Sequence, residues 1–455
     1  MTTTIWADQI LTAEGWRHHV NIDIADDGRI NGIRPGAPEN NNRVSVLLPA
    51  PANSHSHAFQ RAMAGLTERR GKNSTDSFWT WRNLMYQFLD RINPDQLQSI
   101  AALVQLEMLE AGFATNVEFH YLHHQIGGAP YNRISEMADR IIAAAAHSGI
   151  GLTLLPVQYQ YGGCDQRPLN RGQLRFGNDP ERYANLVTTA RETLAELPAD
   201  STIGVAPHSL RAVSPDQLVQ TAALLPDSPI HIHIAEQIAE VEEVKEALGA
   251  RPVEWALANL DLNKRWCMIH ATQMLPHETT GLASTGVVAG LCPITEASLG
   301  DGIFDGVRWM NSQGKISIGS DSNIIISLAE EMRVLDTTQR LRDKTRAALA
   351  TDNHSTGRRI FSSICEGGAL AAGRGSGQIA VGQWADLVAL DMQHRNLFGL
   401  REDTILDAFA FTGDSSMVQD VWSAGRHMVR GGQHIHRDEI IASYKKAVSE
   451  LRDFS

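Results

Sequence analysis

The chain has 455 residues, 43% of them apolar, and a formal net charge of −12. That length accommodates one large core with a smaller unit beside it, while the acid excess argues against nucleic acid or an anionic membrane as principal partner. The four cysteines, Cys164, Cys267, Cys292 and Cys365, are widely spaced without a C-x-x-C, which excludes a disulfide framework and a cysteine-rich zinc site. With no basic-then-apolar leader and no apolar run of membrane-spanning length, a soluble, cytoplasmic protein is expected.

Residues 1–43 read as short strands with turn signals; Asp26-Asp27-Gly28, following Ile22–Ala25, predicts a hairpin. Eight apolar runs follow: Val44–Leu48, Thr115–Phe119, Gly151–Val157, Ile203–Ala206, Ile230–Ile234, Cys267–Ile269, Val287–Leu291 and Ile316–Ile318. Between them lie helical faces such as Ile134, Met137, Ile141, Ile142 and Ala145, or Leu218, Ala222 and Leu225. This alternation predicts an α/β fold, a (β/α)₈ TIM-type barrel over residues 44–375. An open doubly wound sheet is the rival, but it normally carries a Gly-rich phosphate loop where this chain has Asn53-Ser54-His55-Ser56-His57. Strand-like pieces return at Asp386–Leu390 and Met428–Gly432. A small β-sandwich built from 1–43 and 376–440 is therefore expected, with 441–455 as a helical tail.

Reactive groups of such a barrel gather at the C-terminal ends of its strands. There the chain places His55 and His57, then Glu118–Tyr121, His208–Arg211, His233–Glu236, His270 and Gly319-Ser320-Asp321: six of the eight ends carry metal-capable residues. Histidines at i and i+2 of an extended chain share a face, so His55 and His57 can meet one cation. With His233 and Asp321 they make a nitrogen and oxygen donor set for one Zn²⁺, a water completing the shell. Bound zinc lowers the pKa of water from about 15.7 towards roughly 7, supplying hydroxide at neutral pH. Glu236 is placed to shuttle protons to a leaving amine, and His270 to polarise the electrophile or assist deprotonation of water. Arg82 and Arg211 suit fork-like carboxylate recognition, with Gln60, Tyr121 and His208 adding hydrogen bonds. The Tyr159–Asp179 connection is the kind of segment that closes over a small ligand.

Each assignment has a plainer alternative. His231 alternates with His233 but lies deeper in its strand. Glu236 can simply open the acidic helix containing Glu240, Glu242 and Glu243, and Asp321 can be a helix cap. Arg82 can be a surface residue beside Phe78-Trp79-Thr80-Trp81, a cluster expected in the core rather than in a lid. His120, His123 and His124 are expected at the surface or behind the site. The pair His434 and His436 is assigned to the small β unit, not to a ligand set.

On these residues the chain resembles the deaminase branch of the amidohydrolase superfamily, and within it the formimidoylglutamate deiminases of histidine degradation. The specific stretches are Ser56–Leu66, Asp76–Tyr86, Glu118–Tyr121, His208–Val213, His231–Gln237 and Thr295–Gly302, and the similarity spans nearly the whole chain. The resemblance implies a single zinc on His55, His57, His233 and Asp321. It implies Glu236, His270 and Asp321 as proton-transfer and polarising groups, and Gln60, Arg82, Tyr121, His208 and Arg211 as contacts to the glutamate portion of the substrate. The implied reaction is attack of zinc-bound hydroxide on the formimino carbon of N-formimino-L-glutamate, giving N-formyl-L-glutamate and ammonia. One departure stands out: Asn323 follows Ser322, where the family commonly has histidine. The same-class rival is a zinc deaminase of a nucleobase, whose pocket would favour stacking over two arginines. A non-catalytic barrel scaffold would be expected to lack some of the six metal and proton-transfer residues, and none is missing. The expected partner is a small dicarboxylate, and the expected assembly a homodimer.

Overall fold

The structure is a computed structural model that describes residues 3–68 and 78–452. Its larger sheet is a ring of parallel strands in the order Ala52–Ser56, Thr115–His120, Gly151–Gln158, the short pair Thr202–Ile203 and Ala206–Pro207, Ile230–Ile234, Trp266–His270, Val288–Leu291 and Lys315–Ile318. Pairing of Ile318 with Asn53 and of Val205 with Ile230 closes the ring. Nearly every residue of these strands is buried, because their outer face is covered by helices and their inner face by neighbouring strands. Some of the helices begin with well-formed caps. Asn93 and Gln96 form a reciprocal capping box for Pro94–Glu110, and Asp179 caps Pro180–Leu194.

The second sheet unites the two ends of the chain. Its eight strands lie in the order Gln433–His434, Arg426–Arg430, Val418–Ser423, Leu387–Leu390, Arg43–Pro49, Thr3–Thr12, Gly15–Ile24 and Ile30–Pro35. The hairpin at Asp26-Asp27-Gly28 forms: the Gly28 N–H donates to Ala25 O at 2.9 Å, with Gly28 at φ +87°. The run Val44–Leu48 departs from expectation. It pairs with Thr3–Thr12 and Leu387–Leu390 and belongs to this sheet, so the first barrel strand is Ala52–Ser56. The reason is physical. Val46 and Leu48 face the main core while Leu47 faces the sheet's own core, and a strand buried on both faces reads like a barrel strand.

The sheet docks on the barrel through buried ion pairs. Arg374 bonds to Asp386 at 2.7 Å and to Asp200 at 2.8 Å, and Arg426 reaches Asp200 at 2.7 Å. The last helix, Arg437–Arg452, lies on Pro94–Glu110, where Gln96 Nε2 donates to Glu450 Oε2 at 3.0 Å. Among the described residues, no helix is long and apolar enough to cross a membrane.

Candidate active site

Strands one and eight of the ring are laced together at their ends, and this lacing aims His55, His57 and Asp321. The Asp321 N–H donates to His55 O at 2.9 Å, and the His57 N–H to Asp321 O at 3.0 Å. Gly319 permits the approach: a Cβ there would lie 2.6 Å from both the N and the O of His55. Asn323 follows the Ser320-Asp321-Ser322 segment. It is buried, donating to Ser56 Oγ at 3.2 Å and His57 O at 3.1 Å and accepting from Ser320 Oγ at 2.6 Å. It holds the histidine strand from behind instead of reaching the cavity.

One ligand atom from each of His55, His57 and His233 lies within 4.8 Å of the other two, and all three residues are buried. His55 Nε2 is 3.1 Å from His233 Nε2, and Asp321 Oδ1 is 3.5 Å from His55 Nε2 and 3.2 Å from His57 Nε2. His57 Nδ1 faces Phe119 O at 2.9 Å and His233 Nδ1 faces His208 O at 3.1 Å. A carbonyl only accepts, so both Nδ1 atoms carry hydrogen, and in the neutral rings this aims Nε2 lone pairs at the shared centre. Burial drives His55 down to about 3 and His233 well below its usual value, favouring the neutral, ligating form. Burial alone would raise Asp321, but its contacts with His55 and His57 hold it well below the usual carboxylate range. Three imidazoles and a carboxylate converging with few protons among them fit a borderline divalent cation.

Glu236 and His270 adjoin this cluster. His270 Nε2 is 3.8 Å from Glu236 Oε1 and 3.9 Å from Asp321 Oδ2, while its Nδ1 is 3.2 Å from Glu296 Oε1. Burial raises the Glu236 carboxyl. Burial would lower His270, but the Glu236 charge, the Glu296 hydrogen bond and the Asp321 charge outweigh it and push it up to about 10. The backbone is unusual here: Ala235, His270, Ala271 and Asp321 have φ of +51°, +68°, +48° and +44°. Non-glycine residues in this region cost of order 1–3 kcal/mol each, and such strain concentrates at functional sites.

The cluster opens into a cavity of about 570 Å³, its open mouth included, and every residue expected to hold substrate lines it: Gln60, Arg82, Tyr121, His208 and Arg211. Gln60 Nε2 donates to Tyr121 Oη at 2.9 Å, whereas Gln60 Oε1 and Arg211 Nε are buried with no protein partner. The plainer alternatives resolve geometrically. Glu240 accepts from the Glu236 and Ala235 N–H groups, leaving the Glu236 side chain to the cavity. Ser327, not Asp321, caps the following helix Leu328–Asp343. His231 turns outward to Ala371 O at 2.7 Å. His120, His123 and His124 are buried rather than on the surface; His124 Nε2 meets Gly177 O and Asn178 Oδ1 at 2.9 and 3.0 Å, anchoring the long connection. From that connection Tyr159 and Phe176 line the cavity. Trp81 lines it too, although the aromatic cluster was expected in the core; the side chains of Phe78, Trp79 and Thr80 lie outside the described residues.

Sequence reasoning named no role for Glu296, Tyr86, Tyr159 or Phe176. Glu296 lies within the Thr295–Gly302 stretch already singled out, so that motif held the signal.

A parallel barrel with a buried histidine–carboxylate cluster at its strand tips is the arrangement of a metal-dependent hydrolase, and the chain belongs to the amidohydrolase family, whose model matches residues 46–428. Residues 2–41 match a second model, described as formimidoylglutamate deiminase HutF, N-terminal domain. The chain is 42% identical over 455 residues to the formimidoylglutamate deiminase of Pseudomonas aeruginosa, covering 99% of this chain and 100% of that protein. It superposes with a TM-score of 0.94 on the crystal structure of an amidohydrolase from Brucella melitensis, at 46% identity, covering 98% of this chain and 99% of that one. An adenosine deaminase from Xanthomonas campestris with bound zinc gives a TM-score of 0.82 at 19% identity, covering 99% and 98% of the two chains, which shows a shared fold.

Proposed function

We propose that the chain is a zinc-dependent formimidoylglutamate deiminase of histidine degradation, hydrolysing N-formimino-L-glutamate to N-formyl-L-glutamate and ammonia. The observation that carries this reading is the placement of Arg82 and Arg211 in one cavity with the histidine cluster, in a chain so similar to a named deiminase. Two guanidinium groups suit the two carboxylates of a glutamate derivative. A nucleobase has no such charges.

His55, His57, His233 and Asp321 would hold the metal. When bound, zinc acidifies water and polarises the formimino carbon. The remaining chemistry falls to the chain's own groups. Arg211 and Arg82 fix the glutamate portion, with Gln60, Tyr121 and His208 completing its polar contacts. Water adds to the formimino carbon, the carbon–NH₂ bond breaks, and the departing nitrogen takes a proton as ammonia leaves. Asp321 Oδ2, His270 Nε2 and Glu236 Oε1 stand in sequence with gaps of 3.9 and 3.8 Å, a path by which a proton taken from water would reach the leaving nitrogen. Burial raises the Glu236 carboxyl, a shift towards the protonated form that a donor to the departing nitrogen requires. Three buried thiols and the half-buried Cys164, all free, suit the reducing cytoplasm.

Ammonia release is to be measured on N-formimino-L-glutamate, N-formimino-L-aspartate, guanine and adenine, with metal content determined on the same sample. The expected outcome is preferred turnover of formimino-glutamate with one zinc per chain. Turnover of a base in its place rejects the reading.

A further inference from the structure

The chain carries another H-x-H, His434-Ile435-His436, at the step from the last strand of the terminal sheet into the helix Arg437–Arg452. Its two imidazoles are not equivalent. His434 is buried, with Nε2 2.8 Å from Ser148 O and Nδ1 accepting the His436 N–H at 3.1 Å, so both its nitrogens are engaged. It fixes the backbone of His436, which is itself exposed. The His436 ring lies 5.5 Å from the ring of His147, and His147 Nε2 is 3.5 Å from Glu439 Oε2. One ligand atom from each of His147, His436 and Glu439 falls within 4.8 Å of the other two.

We propose that His147, His436 and Glu439 form a second metal site, for a divalent transition ion of the zinc type, separate from the catalytic cluster. Metal–ligand distances of about 2.0–2.2 Å require tetrahedral donors to stand roughly 3.3 Å apart. His147 and Glu439 are already near that spacing, and rotation of the exposed His436 side chain closes the rest. Two imidazoles and one carboxylate select zinc, copper or nickel over magnesium or calcium, which prefer oxygen. His147 stands in the last turn of the helix Glu136–Ser148, whose C-terminal dipole favours a cation.

The position gives the site its role. Glu136–Ser148 runs back from the strand tips, so His147 lies at the base of the barrel, away from the catalytic histidines. A metal there ties the C-terminal helix to a barrel helix and to the terminal sheet. Side-chain exposures of 32% for His147 and 71% for Glu439 leave it open to solvent, so water completes the shell and occupancy follows free metal concentration. Binding to the folded state alone then stabilises it by mass action.

The test starts from enzyme holding its catalytic metal and titrates zinc chloride, reading heat of binding and Tm, in wild type, His436→Asn and Glu439→Gln. Wild type is expected to take one further equivalent and to gain Tm. Each substitution is expected to weaken that equivalent by at least about tenfold, the lower bound for losing even an outer partner of a ligand, and to remove the gain, while turnover without added zinc stays unchanged. Absence of a further equivalent in wild type overturns the proposal, as does wild-type affinity in either variant. The readout is binding, so it is independent of which substrate the catalytic site takes.

Discussion

Arg211 brings a guanidinium to the cavity with its Nε buried and without a protein acceptor, which leaves that donor available to a substrate oxygen. Arg211→Met is therefore expected to lower kcat/KM on a dicarboxylate by about 2–5 kcal/mol, the cost of leaving a buried charge unpartnered, with metal content unchanged. Steady-state kinetics with metal analysis on the same sample decides it; unaltered kcat/KM removes Arg211 from the substrate contacts. The placement of Arg211, His208 and Gln60 at the cavity was legible because each lies within a few residues of a strand end. Glu296 was not assigned a role, because its contact with His270 crosses from one strand tip to the helix after the next strand. Asn323 shows the opposite limit. Its place in the motif suggested a change in the last loop, yet its hydrogen bonds run back to Ser56 and His57.

At the scale of elements, the site depends on how closely strand eight approaches strand one. Gly319 has no room for a Cβ against the His55 backbone, so Gly319→Ala must push the Asp321 segment away from the histidine pair. The expected result is loss of bound metal and of activity together, with the fold retained by circular dichroism. Full metal occupancy in the folded variant would show that the lacing is not what aims the ligands. The periodicity of the helices and seven of the eight barrel strands was readable, because amphipathic faces and doubly buried runs leave strong patterns. Val44–Leu48 was misplaced because a terminal-sheet strand pressed against the barrel is buried on both faces as well. Periodicity reports burial, and does not say against what.

For the whole molecule, the seam between barrel and terminal sheet rests on Asp200 between Arg374 and Arg426. Burial would raise the Asp200 carboxyl, but Arg426 and Arg374 together pull it below its usual value. A carboxyl depressed in the folded state contributes stability that is present above about pH 4 and is lost as pH falls through the folded pKa. Asp200→Asn is expected to cost about 3–5 kcal/mol at neutral pH and to flatten the acid limb of stability. Denaturant unfolding at pH 7 and at about pH 2, below the usual carboxylate range, measures both; equal losses at the two values would remove Asp200 from the acid response. The same sheet bears on how the chain is made. Arg43–Pro49 bonds on one side to Thr3–Thr12, which leaves the ribosome early, and on the other to Leu387–Leu390, which leaves it late. Until the whole barrel has been synthesised, one edge of that apolar strand has no partner, and an open edge is a template for pairing with another chain. Slow closure across so long a separation makes the nascent chain, more than the finished enzyme, the form most exposed to aggregation.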